Sequence, residues 1–361
     1  MDYRIRWRQR RLERRRQRLL AVPAGLLLGL ALFLGLSRLG ARSPYWVYQG
    51  PPNNTPHFAL GAAALYCVWA DGHLETVRLG DGVVHGGGPL FSLPDRFNGP
   101  PLHDRHTVYL GSDLGTLWAV HCRTGDALWG YRTAGAIRDE PLRDGSRLYF
   151  GNDQGNLYCL DVATGRKLWC TNLHFAIPGQ VALVGGVLVA ATRDGALHGL
   201  EPTTGRVLWR QVLGEPVFSP VTPADPNVIV GTDLGTAFIV AAQTGAVVIS
   251  YRTRGLIRAA AAVSDQQICF GSTDGWLRVV SRDGATRLWA YYVGQPLSVG
   301  PCLAGGRYYA GCPGRLVVLD AAEGRLLRTW QGEEFAGSLA ATSDVVYVGT
   351  STGRILALAN P

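Results

Sequence analysis

A seven-residue pattern returns at a fixed interval along most of this chain. GSDLGTL begins at Gly111, GNDQGNL at Gly151, ATRDGAL at Ala191, GTDLGTA at Gly231 and GSTDGWL at Gly271, an even step throughout. A shortened copy, GCPGRL, begins at Gly311, another, GTSTGRI, begins at Gly349, and a degenerate one, VWADGHL, starts at Val68, which makes eight. A second signal keeps the same phase: Thr124-Gly125, Thr164-Gly165, Thr204-Gly205 and Thr244-Gly245 each precede a short apolar stretch. A period of about 40 residues means one supersecondary unit, repeated and stacked on its neighbours.

Within a unit the order is short apolar-alternating stretch, Gly/Asp turn, stretch, Thr-Gly turn, stretch, as in RLYFG, NLYCLD and RKLWC. Alternation over five or six residues between glycine turns predicts antiparallel strands joined as hairpins. A further stretch before each set, such as Ile137–Pro141, supplies a fourth strand. Four short strands in a repeat of this length make a propeller blade. The expectation is an all-β, eight-bladed β-propeller over residues 44–361, with seven blades as the alternative if the degenerate first unit is only a cap. The outer-strand position keeps a constant distance from the next unit's first residue, as in Trp129 to Gly151, Trp169 to Ala191 and Trp209 to Gly231. The same step back from Val68 lands on Trp46. The C-terminal unit stops before making its own outer strand. The segment around Trp46 is therefore expected to complete the last blade and close the ring.

Composition agrees with many tight turns: glycine contributes 47 residues, and charged residues are 17% against about 25% in an ordinary domain. A long coiled coil and collagen are excluded, and 47% apolar residues argue against disorder. The net charge of +8 comes almost entirely from residues 1–18, where nine arginines face Asp2 and Glu13 for a local +7, so 8 − 7 leaves about +1 elsewhere. A nearly neutral body argues against nucleic acid as partner. Residues 19–36, LLAVPAGLLLGLALFLGL, carry no charge. As a helix they would span about 27 Å, enough for a bilayer core. The arginine block before this run places the N-terminus in the cytoplasm and the rest across the membrane. The expected organisation is tail 1–18, transmembrane helix or signal anchor 19–36, linker 37–43 and propeller 44–361. The competing readings are a cleaved signal peptide and a buried soluble helix.

Seven cysteines show no CxxC, no adjacent pair and no disulfide framework spacing, and read as free, buried, apolar thiols. The eight histidines are scattered; His103 and His106 fall on a Pro-rich loop rather than a helix. The turn aspartates Asp113, Asp153, Asp194, Asp233 and Asp274 recur in phase with the repeat and read as turn formers. No nucleophile–base pair, phosphate loop or metal pattern stands out.

The run LYCLDVATGRKLW, with echoes LWAVHCRTGDALW and LHGLEPTTGRVLW, resembles the tryptophan-docking motif of the PQQ-like β-propeller family. The resemblance implies that Trp129, Trp169, Trp209, Trp289 and Trp46 pack between neighbouring blades. Ile249 and Gly86 occupy two of the equivalent positions, and those junctions are expected to be less regular. Three function classes follow. A PQQ- and calcium-dependent dehydrogenase of this family is generally much longer, with large loops and often a vicinal disulfide that this chain lacks. The BamB-like branch is a cofactor-free, non-catalytic scaffold of envelope complexes, and the compact size fits it; its usual lipid-bearing cysteine is missing here. A ligand sensor signalling through the helix would need an output domain that the short tail does not offer. The expectation is a membrane-anchored, extracytoplasmic scaffold (periplasmic if bacterial) with other membrane or envelope proteins as partners, no cofactor and no catalytic residues.

One candidate site follows from the register. Asn98, Arg138, Pro178, Phe218, Arg258 and Ser298 hold the same place in successive units, on the innermost strands. Arg138 and Arg258 are expected to reach the axial channel, there to attract an anion or a partner's carboxylates; the alternative is local pairing, for instance with Asp139 or Glu140, or plain exposure to water.

The charge imbalance across residues 19–36 yields a topology prediction. A reporter active only outside the cytoplasm, fused after Pro361, should be active, with the full-length protein retained in membranes. Release of a mature chain starting near Arg38 would establish a cleaved signal instead.

Overall fold

In a computed structural model of the chain, the described residues are 44–84, 91–93 and 95–360. The arginine tail, the apolar segment 19–36, the linker 37–43 and Gly86 lie outside them. No helix among the described residues is long and apolar enough to cross a membrane.

The regular elements are antiparallel strands. Six four-stranded sheets span residues 57–92, 102–132, 142–172, 182–212, 222–252 and 262–292. From the second onward they start at Leu102, Leu142, Ala182, Thr222 and Ala262, so the sequence period is the sheet period. One unit shows the build: Leu142–Asp144, Arg147–Gly151, Asn156–Asp161 and Lys167–Asn172 pair in chain order, with Leu142 opposite Tyr149, Leu148 opposite Leu160 and Cys159 opposite Trp169. The first strand of each unit is innermost and the last is outermost. Successive inner strands abut: Ala182–Val184 against Thr222–Ala224, that strand against Ala262–Val263, and Leu326–Ala341 against His57–Leu60. The architecture is an all-β propeller of four-stranded antiparallel blades.

The seventh sheet has six strands. Two long strands, Arg307–Asp320 and Leu326–Ala341, run through it without a break. Each changes partner midway: Tyr309 pairs with Cys302, while Leu316 pairs with Trp330; further on, Ala340 pairs with Tyr347. The count of separate hydrogen-bonded sheets is therefore seven rather than the eight expected, because the last two repeat units share one. The link is Leu326–Ala341, whose first half pairs with Arg307–Asp320 and whose second half pairs with Val345–Thr350. The outermost strand of this sheet is Trp46–Gln49, antiparallel to Arg354–Ala359, with Trp46 opposite Ala357 and Gln49 opposite Arg354. Both ends of the ring thus lie in one sheet.

The core is distributed between sheets. Val189 and Leu197 of one sheet pack with Val228, Val230 and Val240 of the next; Trp46, Leu65, Trp69, Tyr347 and Ile355 join the two chain ends. Close approach explains the glycine that opens the units: a Cβ on Gly111 would lie 2.4 Å from Ile137 Cγ2, and one on Gly231 would lie 2.3 Å from Ile257 Cγ2.

Neighbouring sheets are joined by a recurring contact. The indole N–H groups of Trp46, Trp129, Trp169, Trp209 and Trp289 donate to the carbonyls of Leu79, Val162, Pro202, Ala242 and Ala321, at 2.8 to 3.1 Å. Each ring also lies over the turn glycine of the next unit, Gly82, Gly165, Gly205, Gly245 or Gly324, where a Cβ would strike it. At Ile249 the indole is missing, and Tyr251 takes over its hydrogen bond by donating its hydroxyl to the Gly284 carbonyl. A β-bulge accompanies four of these tryptophans. Register slips between Ala119 and Val120, Cys159 and Leu160, Gly199 and Leu200, and Val279 and Val280, so one outer-strand residue has no partner. That residue, Leu128, Leu168, Leu208 or Leu288, is pushed out to solvent.

Deleting residues 44–50 should leave the Arg354–Ala359 edge unpaired and uncover apolar surface beside it. Aggregation or a clear fall in melting temperature is expected. A truncated chain as stable as the parent would refute a closing role for this strand.

Candidate functional site

The segments that enter the innermost strands form a rim, and the structure places Arg138 and Arg258 on it, between Ala127–Arg132 and Leu142–Asp144 and between Val247–Arg252 and Ala262–Val263. Neither is a free cation, and neither pairs with Asp139 or Glu140. Arg138 donates from Nη1 to Asp113 and from Nε to Asp153, both at 2.8 Å. Arg258 grips Asp233 with Nε and Nη2 at 2.8 and 2.7 Å. Asn98, one repeat before Arg138, donates to the other oxygen of Asp113 at 2.6 Å. The turn aspartates therefore do more than form turns. Each of these carboxylates is satisfied by the rim arginine of the next unit, by the rim arginine or asparagine of its own unit, or by both. Arg138 thereby ties the turn of one sheet to the turn of the next. Its carboxylate neighbours, Asp153 first, hold its guanidinium more firmly protonated. Phe218 sits between Arg193 and Arg258, whose guanidinium carbons lie 5.0 and 5.2 Å from the ring centre. Ser298 donates to the Phe335 carbonyl at 2.8 Å.

The two arginines belong to separate networks, Asn98–Asp113–Arg138–Asp153 and Arg193–Phe218–Arg258–Asp233, and share no partner. Both guanidinium groups are about half exposed, at 47% and 56%. Such pairs contribute about 0–1 kcal/mol each, so they order the rim rather than hold the ring together.

Beside Arg138, Asp139 and Glu140 lie on the same segment. Burial pushes Asp139 up to about 6, and burial together with the Asp139 charge pushes Glu140 up to about 7. Asp139 accepts the Glu140 backbone N–H at 2.8 Å. His103 and His106 do not form a ligand pair; His103 stacks on Tyr66 with ring centres 3.8 Å apart, and burial lowers its pKa. Among the described residues no three His, Cys, Asp or Glu side chains are grouped to hold a metal. Five of the seven cysteines are buried, Cys170 is exposed, and none is in a disulfide.

Sequence reasoning missed a cleft of ≈ 920 Å³ between the outer strand ending at Arg252 and the sheet that follows it. The signal is a departure from the repeat. Trp118, Tyr158, His198 and Phe238 face Leu110, Phe150, Ala190 and Val230 across their hairpins, but the next equivalent position, facing Phe270, is Arg278.

These features define a class: a propeller of repeated antiparallel sheets, locked by indole contacts, with a charge-balanced inner rim. The sequence profile described as outer membrane protein assembly factor BamB matches residues 46–171 and 154–359, and the chain belongs to that family. Among solved structures, BamB from Moraxella catarrhalis is similar at 17% identity and a TM-score of 0.72, covering 87% of this chain and 98% of that one. The computationally designed Ika8 protein is similar at 16% identity and a TM-score of 0.79, covering 88% and 100%. Saccharomyces cerevisiae Sqt1 is similar at 13% identity and a TM-score of 0.72, covering 89% and 100%. At these identities the structural likeness is one of fold. No protein of curated function matches the sequence.

The raised carboxyls give a pH prediction. Asp139 and Glu140 keep their protons to a higher pH in the folded ring than in an unfolded chain. Their contribution to stability is therefore fully present in acid and is lost as pH rises through about 6 and about 7. Glu140→Gln should raise the melting temperature at pH 8 and leave it unchanged at pH 4. Equal melting of variant and parent at pH 8 would disprove the shift.

Proposed function

We propose that this chain is a non-catalytic protein–protein interaction scaffold of a membrane or envelope complex. In this reading residues 19–36 anchor it and the ring works on the extracytoplasmic side, in the periplasm of a bacterial cell. The observation that carries the reading is the family match across residues 46–359, the ring almost in its entirety, to a family described by its part in outer-membrane protein assembly. Inside the ring, we propose eight repeat units, with the six-stranded sheet counted as two units joined through Leu326–Ala341; the change of partner halfway along that strand, from Arg307–Asp320 to Val345–Thr350, supports this. We propose the indole contacts as the family's tryptophan-docking arrangement.

A PQQ–calcium centre does not fit the residues present. Calcium requires six to eight oxygen ligands, whereas Asp113, Asp153 and Asp233 on the rim are already engaged by arginine and asparagine side chains. The rim arginines enter the scaffold reading differently: a partner's acidic loop would compete with Asp113, Asp153 and Asp233 for Arg138 and Arg258.

The test is affinity purification of the full chain, tagged at its C-terminus, from cross-linked native membranes. A defined set of envelope proteins should be recovered in amounts comparable to the chain. Replacing Arg138 and Arg258 together by alanine should reduce that recovery while costing about 1 kcal/mol or less of stability per ion pair removed. Recovery of nothing above an untagged control would overturn the scaffold reading. Undiminished recovery by the double variant would make the rim arginines structural.

A further inference from the structure

The cleft between the fifth and sixth four-stranded sheets is where the repeat breaks its own rules. At the equivalent junction three units earlier, Tyr158 stacks on Phe150 with ring centres 5.2 Å apart and meets Tyr131 edge-on at 5.8 Å, while Trp129 covers the outer side. Here Ile249 replaces the tryptophan and Arg278 replaces the tyrosine. Arg278 folds back to Asp274, with Nη2 at 2.7 Å, and leaves the volume between Tyr251, Phe270 and the Arg287–Tyr292 strand open.

Two further departures line the opening. The cross-strand pair that is Thr116–Arg132, Asn156–Asn172, Ala196–Val212 and Thr236–Arg252 in other units is Trp276–Tyr292 here. Their rings lie 5.2 Å apart and both are exposed. Four arginines border the cleft against one acid, Asp274. Arg252 is neutralised by Glu215 and Arg278 by Asp274. That leaves Arg254 and Arg287 without a carboxylate partner among the described residues; Arg287 lies over the Tyr251 ring at 5.5 Å. The Arg254 backbone is held to Asp274, next to the Trp276–Tyr292 end, whereas Arg287 pairs with Val280 at the other end of the strand. From Arg287 to Tyr292 that strand runs about 17 Å. A single small anion cannot serve positive charge at both ends of such a span; an extended segment of five or six residues can. Exposed aromatics with unpaired arginines are also the composition that concentrates binding energy at protein interfaces.

We propose that this cleft is a docking groove for an extended acidic segment of a partner protein, with carboxylates at its two ends for Arg254 and Arg287 and an apolar side chain between them against Trp276 and Tyr292. The inference rests on the scaffold reading and names the chemistry of the partner. A fluorescein-labelled peptide, Glu-Asp-Phe-Leu-Asp-Glu, titrated by anisotropy against the full-length chain, is the direct probe. It should bind, and Arg254→Ala/Arg287→Ala should weaken it about tenfold or more, with the melting temperature held. Trp276→Ala should weaken it as well. The control Arg166→Ala/Arg206→Ala, on turns of other units, should bind as the parent does, and the peptide with Gln and Asn in place of its acids should not bind. Equal binding by R254A/R287A, no binding at about 1 mM peptide, or displacement by phenylacetate at equal concentration would overturn the groove. Capture from membranes separates this from the scaffold reading. Partners recovered equally by parent and R254A/R287A chains would remove the groove and leave the scaffold standing; peptide binding with no captured partner would do the reverse.

Discussion

The contact on which the rest depends is the indole of one sheet seated on the turn glycine of the next, its N–H held by a carbonyl 32 or 33 residues further along. It needs two things at once, and at four of the five tryptophans a bulge in the outer strand accompanies them, Trp46 making the joint without one. The neighbour's turn must have a residue at positive φ without a Cβ, as Gly165 has at 67° and Gly205 at 73°. And the spacing between the two must stay fixed, which is why the sequence period is so strict. A large aromatic surface removed from water with its one donor satisfied is a strong and specific joint. The same joint, made by Trp46 with Leu79 and Gly82, ties the first described strand to the sheet after it.

Much of this was legible without coordinates, because the joint leaves a periodic trace. Alternating strands, the Gly/Asp and Thr-Gly turns, the tryptophan positions and the placement of Trp46 all follow from spacing. What was not legible has physical reasons. The number of separate sheets turned on whether Leu326–Ala341 breaks between its two partners, a matter of backbone continuity that a pattern does not express. Arg138 was expected on an innermost strand; it lies just before that strand, Leu142–Asp144, and its partners belong to two different turns, one well before it in the chain and one well after. Only the stacking of adjacent turns brings Asp113 and Asp153 to one guanidinium. Asp139 and Glu140, nearer in sequence, are held by burial and backbone instead.

Rim and cleft show two ways in which a repeat handles charge. On the rim, arginines that look free in sequence are already bound to turn acids of their own or the preceding unit. In the cleft the substitutions at Ile249, Trp276 and Arg278 fall on two successive units and act together. One removes the indole, one turns a ring into an ion pair that folds away, and one places an aromatic at the opening. A repeat protein acquires a particular surface by such local exceptions, since the regular positions are already committed to holding neighbouring sheets together.

The strand Trp46–Gln49 also sets an order in time. Its partners lie in the last strand of the ring, and the Gln49 side chain reaches the Gly353 carbonyl across 304 residues of chain. The intervening sheets can each form from hairpins of neighbouring residues, quickly and from the N-terminal side. This strand has nothing to pair with until the whole ring has emerged. Assembly is thus local for nearly all its length and global in one final step, paying the loop-closure entropy of the entire chain at once. Until that step both future partners present bare edges, so the nascent protein is most open to mispairing just before it is finished.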